Sequence, residues 1–405
     1  MFKKNFFITT ALLFIWLNFA PTAFGQNQTV KQASGDEFML KLSKFSAQQL
    51  LDTAEYYVNN NSNDTALICY NLIINTFARE TDKEQQKKII VAYNKAAVLN
   101  YYLCDFRTAY ELLIKGLLLC EKINYDEYQT RILSNIGIIY FRFNKYDLSK
   151  DYYAQALQLC KDTTVVEVIL NNLGEAELYS GNMDSAYYYL SKALYYSKQN
   201  KEIDLHTILN TMATYYEKQQ QYDSAFYYYR SSFEVSKKKN KIETQAESLS
   251  NLGNLFFIIG KKDSAIYYIQ WSNMLANENN LPRILVKNYD ILSQIEESKG
   301  DTTNAFEYFK KHASLKDSIF NVEKFADINQ LQRLYEVSKT NQQIEQLTIE
   351  QRVNEQTIHY QSIIQFITLG ILISVSIISL FIYFQKTDYP IRIIFQLHIQ
   401  FYGLF

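Results

Sequence analysis

The chain has 405 residues and a formal net charge of −1, from 41 basic and 42 acidic side chains. This near-neutral balance argues against nucleic-acid binding through bulk electrostatic attraction. With only 11 glycines and 3 prolines, the composition favours an all-helical body.

The first 25 residues have the organisation of a secretory signal peptide. Lys3 and Lys4 precede an apolar run over residues 6–20, and small residues stand at Ala23 and Gly25. This order of charge, apolar core and small residues predicts a signal peptide over residues 1–25, cleaved after Gly25. An uncleaved anchor is the alternative, and either one exports the repeats. Residues 26–46 are expected to form a polar lead-in.

A repeated pattern of small and bulky residues begins at residue 47. A small residue recurs at intervals of 37 to 43 residues and marks each unit: Ala66, Ala109, Ser149, Ala186, Ala225, Ala265 and Ala305. Twelve positions earlier the residue is small again: Ala54, Ala97, Gly137, Gly174, Ala213, Gly253 and Ser293. Four positions after the marker it is large: Tyr70, Leu113, Tyr153, Leu190, Tyr229, Ile269 and Phe309.

The alternation predicts antiparallel helix pairs. Two helices approach closely only where side chains are small, and a bulky residue one turn later fills the space beside the contact. A single pair cannot bury its own apolar faces, so seven pairs are expected to stack into a solenoid.

These units resemble the tetratricopeptide repeat (TPR) family over residues 47–320. The best matches are Asn135-Ile136-Gly137, Asn172-Leu173-Gly174 and Asn251-Leu252-Gly253, each followed by its small marker. The period of this chain is longer than the family's usual repeat of about 34 residues, and the closing proline of the motif is absent. The resemblance implies an all-α, TPR-type α-solenoid that binds a peptide or a protein.

In solenoids of this family the first helix of each pair lines the concave groove. Asparagines recur there shortly before the small position, and an amide can bond both N–H and C=O of an extended peptide. Hydrogen bonding between neighbouring repeats is the alternative for the same amides. The predicted ligand-binding residues of the groove are Arg142, Asn171, Glu175, Tyr179, Asn210 and Asn254.

The tripeptide Asp-Ser-Ala or Asp-Thr-Ala recurs at residues 64–66, 184–186, 223–225 and 263–265. We expect its Asp and Ser or Thr to cap the second helices by accepting backbone N–H groups. The same tripeptide resembles an O-glycan acceptor of some bacterial envelope proteins, which is the alternative. Tyrosine runs follow these turns, and because successive helical residues point about 100° apart, at most one tyrosine of each run can enter the core.

The four cysteines, Cys69, Cys104, Cys120 and Cys160, form no CxxC pair. They are expected to be small buried hydrophobes rather than metal ligands or disulfide partners. No motif for catalysis, a metal or a cofactor is recognisable among the four histidines and eleven glycines. The chain is therefore not expected to be an enzyme or to carry a cofactor.

After the repeats the chain lacks turn residues. Residues 321–362 are expected to form a long helix or weak coiled-coil connector, with a heptad pattern through Val337, Ile344 and Ile358 that Gln351 interrupts. Residues 363–384 are apolar and uncharged, long enough for one transmembrane helix. Lys386 and Arg392 follow this segment. Because basic residues concentrate on the cytoplasmic side of a span, they predict a cytoplasmic tail over residues 385–405.

This order of segments resembles the periplasmic sensor half of TPR membrane regulators of Bacteroidetes-type bacteria, whose cytoplasmic output is a LuxR-type domain or a histidine kinase. Neither output domain is present in the 405 residues. We therefore expect a single-pass inner-membrane protein that senses a peptide or protein in the periplasm, with a homodimer possible through the connector. A scaffold for an envelope complex and a truncated regulator are the alternatives.

Overall fold

The computed structural model describes residues 38–60, 62–200, 203–319 and 322–402. These residues form helices joined by short turns, without a strand. The predicted signal peptide lies outside the described residues. The longer helices, in chain order, are α1 (Ala47–Asn59), α2 (Asn63–Thr76), α3 (Lys83–Tyr102), α4 (Phe106–Ile123), α5 (Asp126–Arg142), α6 (Tyr146–Leu159), α7 (Thr163–Tyr179), α8 (Met183–Gln199), α9 (Leu205–Lys218), α10 (Tyr222–Lys238), α11 (Ile242–Ile258), α12 (Lys262–Glu278), α13 (Pro282–Lys299), α14 (Thr302–Ile319) and α15 (Val322–Tyr402).

Helices α1 to α14 form seven pairs, and consecutive helices pack against each other throughout. Each first helix also contacts the first helix of the next pair. First helices therefore make up the inner, concave layer, and second helices the outer one. This arrangement confirms the predicted all-α solenoid.

The small and bulky positions meet inside each pair as predicted. A Cβ added to Gly174 would lie 2.8 Å from Cγ of Leu190, and one added to Gly253 would lie 2.6 Å from Cδ1 of Ile269. Both distances are shorter than carbon atoms tolerate. The bulky residue of the second helix thus fills the space that is open because the glycine of the first helix has no side chain.

Small polar residues at the repeat positions are bonded to backbone carbonyls. The Ser149 hydroxyl donates to the carbonyl of Gly137, 2.8 Å away, and the Ser293 hydroxyl donates to that of Ala305. Seven positions after the marker, Ser232 and Ser272 donate to carbonyls of the first helix of their own pair, at 2.6 and 2.7 Å. At these four positions serine is accepted because its hydroxyl has a hydrogen-bond partner.

In pairs two to seven, the turn between the two helices has a left-handed residue five positions before the marker. Pairs two to seven place Cys104, Asn144, Gly181, Gln220, Gly260 and Gly300 there, with φ between 57° and 88°. Glycine adopts this conformation without the steric penalty that a Cβ imposes. The repeat therefore keeps its turn geometry even where no glycine marks it in the sequence.

Side-chain capping by the Asp-Ser/Thr-Ala tripeptides was a wrong prediction. The N-cap positions of α2, α8, α10 and α12 are Ser62, Asn182, Gln221 and Lys261, and none makes a side-chain cap hydrogen bond. The aspartates lie inside the first turn, as the second residue of each helix. There they can act only through the helix dipole, a smaller effect than capping. The glycan-acceptor interpretation stays a prediction.

Tyrosine burial follows the geometry of the helix. In the run at residues 227–229, the Tyr229 side chain is 1% exposed and that of Tyr227 is 65% exposed. In the run at residues 187–189 none is fully buried, because Leu190 takes the core position. Of the cysteines, Cys69, Cys104 and Cys120 are buried as predicted, Cys160 is half-buried, and no disulfide joins any of the four.

The chain divides into two compact units after Arg333. In the second, α15 continues without a break to Tyr402, through the predicted connector, span and much of the predicted tail. The heptad residues Val337, Ile344, Leu347 and Ile358 are exposed. Among the described residues, α15 is the one helix that is apolar and long enough to cross a membrane.

Replacing Gly174 by Ala tests the packing rule, because two effects oppose each other. On an uncrowded helix the change would stabilise by roughly 0.5–1 kcal/mol. Here the new Cβ would also lie 3.2 Å from the backbone N of Leu190, which cannot move away as a side-chain tip can. We expect a net loss of about 1–3 kcal/mol in the free energy of unfolding, measured by urea denaturation.

The matched control is Leu190→Ala, alone and combined with Gly174→Ala. Leu190→Ala removes the two side-chain atoms that lie 2.8 Å from the new Cβ and leaves only the 3.2 Å backbone contact. The loss in the double variant should therefore be smaller than the sum of the two single losses. Additive losses, or a stabilised Gly174→Ala protein, would refute the packing rule.

Candidate functional site

The inner faces of distant repeats meet across a narrow groove, defined here as the space between α3, α5 and α7 on one side and α11 and α13 on the other. The guanidinium carbon of Arg283, in the seventh pair, lies 4.4 Å from the ring centroid of Tyr101, in the second pair. It also lies 5.7 Å from the ring of Tyr102, and it forms an ion pair with Glu243. The solenoid is therefore coiled tightly enough for its second and seventh pairs to touch.

Arg142 ends α5 and points into this groove. Its Nε donates to the Tyr101 hydroxyl, 2.7 Å away. Burial lowers the pKa of the guanidinium, but the neighbouring Tyr101, Glu175 and Glu247 outweigh it and hold the pKa above its usual range. Arg142 therefore stays fully charged in a strongly enclosed position.

Glu175 of α7 faces the same space. Burial, reinforced by the nearby charge of Glu247, raises the pKa of the Glu175 carboxyl to about 7, although Arg142 and Lys287 lower it. The carboxyl thus changes its charge near neutral pH. An ion pair requires a nitrogen–oxygen distance of at most 4.0 Å. In the part of the chain that the structure describes, no carboxylate oxygen lies that close to the Arg142 guanidinium.

Amide side chains connect the first helices of neighbouring pairs. Asn135 donates to Asn94 at 2.8 Å, and Asn251 donates to Asn210 at 3.0 Å. Lys287 in turn donates to the Asn251 amide oxygen. These contacts are the inter-repeat bonding that the sequence left as an alternative to peptide binding.

A second carboxyl, on α9 beside α11, is half-buried. Glu217 of α9 accepts hydrogen bonds from the Asn254 amide at 3.1 Å and from the Tyr229 hydroxyl at 3.0 Å. Burial raises the pKa of Glu217, against the opposing effects of Lys287 and of these hydrogen bonds. Asn254 is therefore engaged with Glu217 while remaining partly exposed.

The six predicted groove residues take different positions. Arg142, Glu175 and Asn254 are partly exposed in the groove, and Tyr179 is 41% exposed with the Lys218 Nζ 4.7 Å from its ring centroid. Asn171 and Asn210 are buried, and the side-chain oxygen of Asn171 has no hydrogen-bond partner. The first four are thus accessible to a ligand, and the last two serve the interior of the inner layer.

The sequence analysis did not identify the groove residues on α11 and α13. Lys287 and Glu247 stand eighteen positions before the markers of the seventh and sixth pairs, at the same repeat position. That shared position was a usable signal. Arg283 had none, because its contact with Tyr101 depends on the coiling of the four intervening repeats.

Comparisons with known proteins support the fold. A family model described as tetratricopeptide repeat matches residues 88–162. The Rap conjugation gene regulator of the plasmid pLS20, solved with the Phr* peptide, is 18% identical, with a TM-score of 0.56 over 74% of this chain and 80% of that one. A Rap protein complexed with competence and sporulation factor is 14% identical, with a TM-score of 0.54 over 72% of this chain and 82% of that one.

The apo form of RapI is also similar, at 15% identity, with a TM-score of 0.53 over 68% of this chain and 99% of that one. No curated protein matches this sequence. At these identities the similarity concerns the fold alone. The chain therefore has the fold of a TPR-type α-solenoid, similar to the Rap structures, followed by a long C-terminal helix.

The raised pKa of Glu175 predicts a pH-dependent stability. The folded pKa lies above the usual unfolded value, so the folded state binds the extra proton, and stability rises as pH falls from about 7 towards 4.5. Replacing Glu175 by Gln removes the charge. We expect the variant to be more stable than wild type by roughly 1–2 kcal/mol at pH 8, and about equal at pH 4.5.

Urea denaturation at several pH values measures the difference. Glu234→Gln is the matched control, since this carboxyl is exposed on the outer helix α10, and the variant should differ from wild type by less than about 0.5 kcal/mol in the free energy of unfolding. A pH-independent effect of Glu175→Gln would contradict the assignment.

Proposed function

We propose that the groove binds an extended peptide or a protein segment, and that the chain presents this groove as a membrane-anchored sensor. The observation that carries the proposal is the set of opposite charges at one place. Arg142, Glu175, Glu247 and Lys287 come from four different helices and act on one another electrostatically. Such a site can bond both N–H and C=O groups of a peptide and match charges at its ends or side chains.

The similar Rap structures support a peptide as the ligand class. One was solved with the Phr* peptide and another with competence and sporulation factor. Both share the overall fold of this chain, with TM-scores of 0.56 and 0.54. Which peptide this chain binds would depend on the side chains that line its own groove.

The membrane anchor is proposed from the apolar helix of the second unit. Its residues 363–384 carry no charge, and the described side chains there are exposed to the surroundings, as expected for a lipid-facing helix. Together with the predicted signal peptide, this supports an inner-membrane protein with periplasmic repeats and a cytoplasmic tail.

Signalling through a homodimer is proposed from the connector. Val337, Ile344 and Ile358 are exposed at heptad spacing, and a second copy of the chain would cover them. The polar Gln351 weakens this seam. A weak seam suits a connector whose pairing changes when the groove is occupied.

A scaffold for envelope proteins is the second candidate. It is favoured by Tyr188, Tyr227 and Tyr267, which occupy the same position in three successive outer helices and are 52%, 65% and 60% exposed. Such tyrosines suit protein contacts. Stoichiometric envelope proteins recovered with the chain from detergent extracts would favour the scaffold over the sensor.

The peptide proposal is tested with a library of randomised short linear peptides, selected against the full-length chain in lipid nanodiscs. Peptides that bind wild type should lose about tenfold or more in affinity to Arg142→Gln and Lys287→Gln, because each change removes a charge-assisted hydrogen bond donor. Lys192→Gln, which changes a lysine of the outer helix α8, should leave affinity unaltered. Failure to select any peptide, or equal loss in all three variants, would count against the groove.

The topology proposal predicts opposite results from two C-terminal fusions. Green fluorescent protein after residue 405 should fluoresce, because it folds in the cytoplasm, and alkaline phosphatase at the same place should be inactive. Deleting residues 363–384 should release the repeats from the membrane fraction. An active phosphatase fusion would show the reverse orientation.

A further inference from the structure

The first turns of α15 lie against the second and third helix pairs. The ring of Phe325 is 5.2 Å from that of Phe143, at the end of α5, and the Lys145 Nζ lies 5.1 Å from the Phe325 ring centroid. Ile328, one turn further on, has no exposed surface. The segment 325–333 is thus docked through an aromatic and an aliphatic contact.

Gln332 completes this docking among three tyrosines of the same two pairs. Its side-chain oxygen accepts hydrogen bonds from the hydroxyls of Tyr152, at 2.9 Å, and Tyr110, and lies 3.5 Å from that of Tyr140. All three tyrosines are buried, and burial raises the pKa of Tyr110. Neutral phenols are therefore the donors, and removal of the amide would leave buried hydroxyls without this acceptor.

A surface ion pair adds little to the contact. Arg107 and Asp327 approach to 3.4 Å, but their side chains are 62% and 45% exposed. Exposed pairs of this kind contribute at most about 1 kcal/mol. The specificity of docking therefore resides in Phe325, Ile328 and Gln332.

The docked segment joins the two ends of the coil. It follows the seventh pair in the chain, yet it contacts the second and third pairs. Arg283 makes the same connection on the inner face, by stacking on Tyr101. We propose that segment 325–333 is a latch that holds the superhelix closed, and that docking of the latch and stacking of Arg283 on Tyr101 form one cooperative closure.

Closure opposes entry of a ligand, a consequence that rests on the proposed peptide function. At 4.4 Å from the ring centroid, the Arg283 guanidinium is in van der Waals contact with Tyr101. An extended peptide needs a separation of about 4.8 Å even between backbones, and roughly 10 Å where side chains intervene. A peptide that passes this point must separate the second and seventh pairs. Because closure is cooperative, this separation also breaks the hydrogen bonds between Gln332 of the latch and the tyrosine hydroxyls. By linkage, latch release and peptide binding favour each other.

The latch itself is tested without a ligand, by hydrogen exchange of the full-length chain in nanodiscs. Gln332→Ala should speed exchange in segment 325–333 and also in the first turn of α13 and the last turn of α3, by about tenfold. Arg283→Ala should speed exchange in segment 325–333 in return. Arg107→Ala, which breaks only the exposed ion pair, should change neither region. Faster exchange confined to the mutated side in both variants would overturn the cooperative closure.

The coupling to peptide is tested by locking the latch. Cysteines introduced as Arg107→Cys and Asp327→Cys, on a Cys160→Ser background, are joined by a reducible bismaleimide. Peptides selected on wild type should bind the locked protein about tenfold more weakly, and reduction of the linker should restore binding. The same protein treated with a monofunctional maleimide is the control.

Equal binding to the locked and reduced proteins would refute the coupling, whatever the exchange result. If no peptide is selected on wild type, the proposed function fails, and the exchange measurement alone decides whether the latch exists. The two failures are therefore distinguishable.

Discussion

The contact between a small residue of each first helix and a bulky residue of the second determines the geometry of every repeat. At Gly174 and Leu190 the two helices are so close that a single methyl group would not fit. That approach determines the angle of the pair, and the angle, repeated, determines how the solenoid coils. Because interiors are packed at crystal-like density, the contact cannot relax without moving the backbone.

Coiling turns a stack of pairs into a binding site. The inner helices carry charged and amide side chains along their whole length, but only curvature places Arg142 and Glu175 opposite Glu247 and Lys287. Enclosure by surrounding helices then strengthens their interaction, since protein atoms replace water between them. The raised pKa of Glu175 is the measurable sign of this enclosure.

The same coiling brings the start of α15 to the second and third pairs. Closure and ligand binding therefore both change one distance, the separation of the second and seventh pairs. A repeat protein is well suited to such coupling. Each interface bends a little, and the changes add up over the seven pairs to a displacement that none of them shows alone.

Some predictions followed from the period of the helix, and others required the exact residue at which a helix begins. The tyrosine at position 229 is core and that at 227 is not, as the helical period requires. The expected caps failed because the N-cap residue stands two positions before each aspartate, so the aspartates fall inside the first turn. Helix ends are the boundaries that sequence patterns place least accurately.

The sequence by itself determined the number and phase of the helix pairs, their antiparallel packing and the one long apolar segment of α15. These features follow from spacing along a single helix or across one turn, where each residue's neighbours are known. Only the tertiary structure decided that Arg283 meets Tyr101, that Gln332 sits among three tyrosine hydroxyls, and that Asn210 bonds Asn251 rather than the groove. These contacts depend on small angles accumulated over several repeats, and no local pattern of residues records their sum.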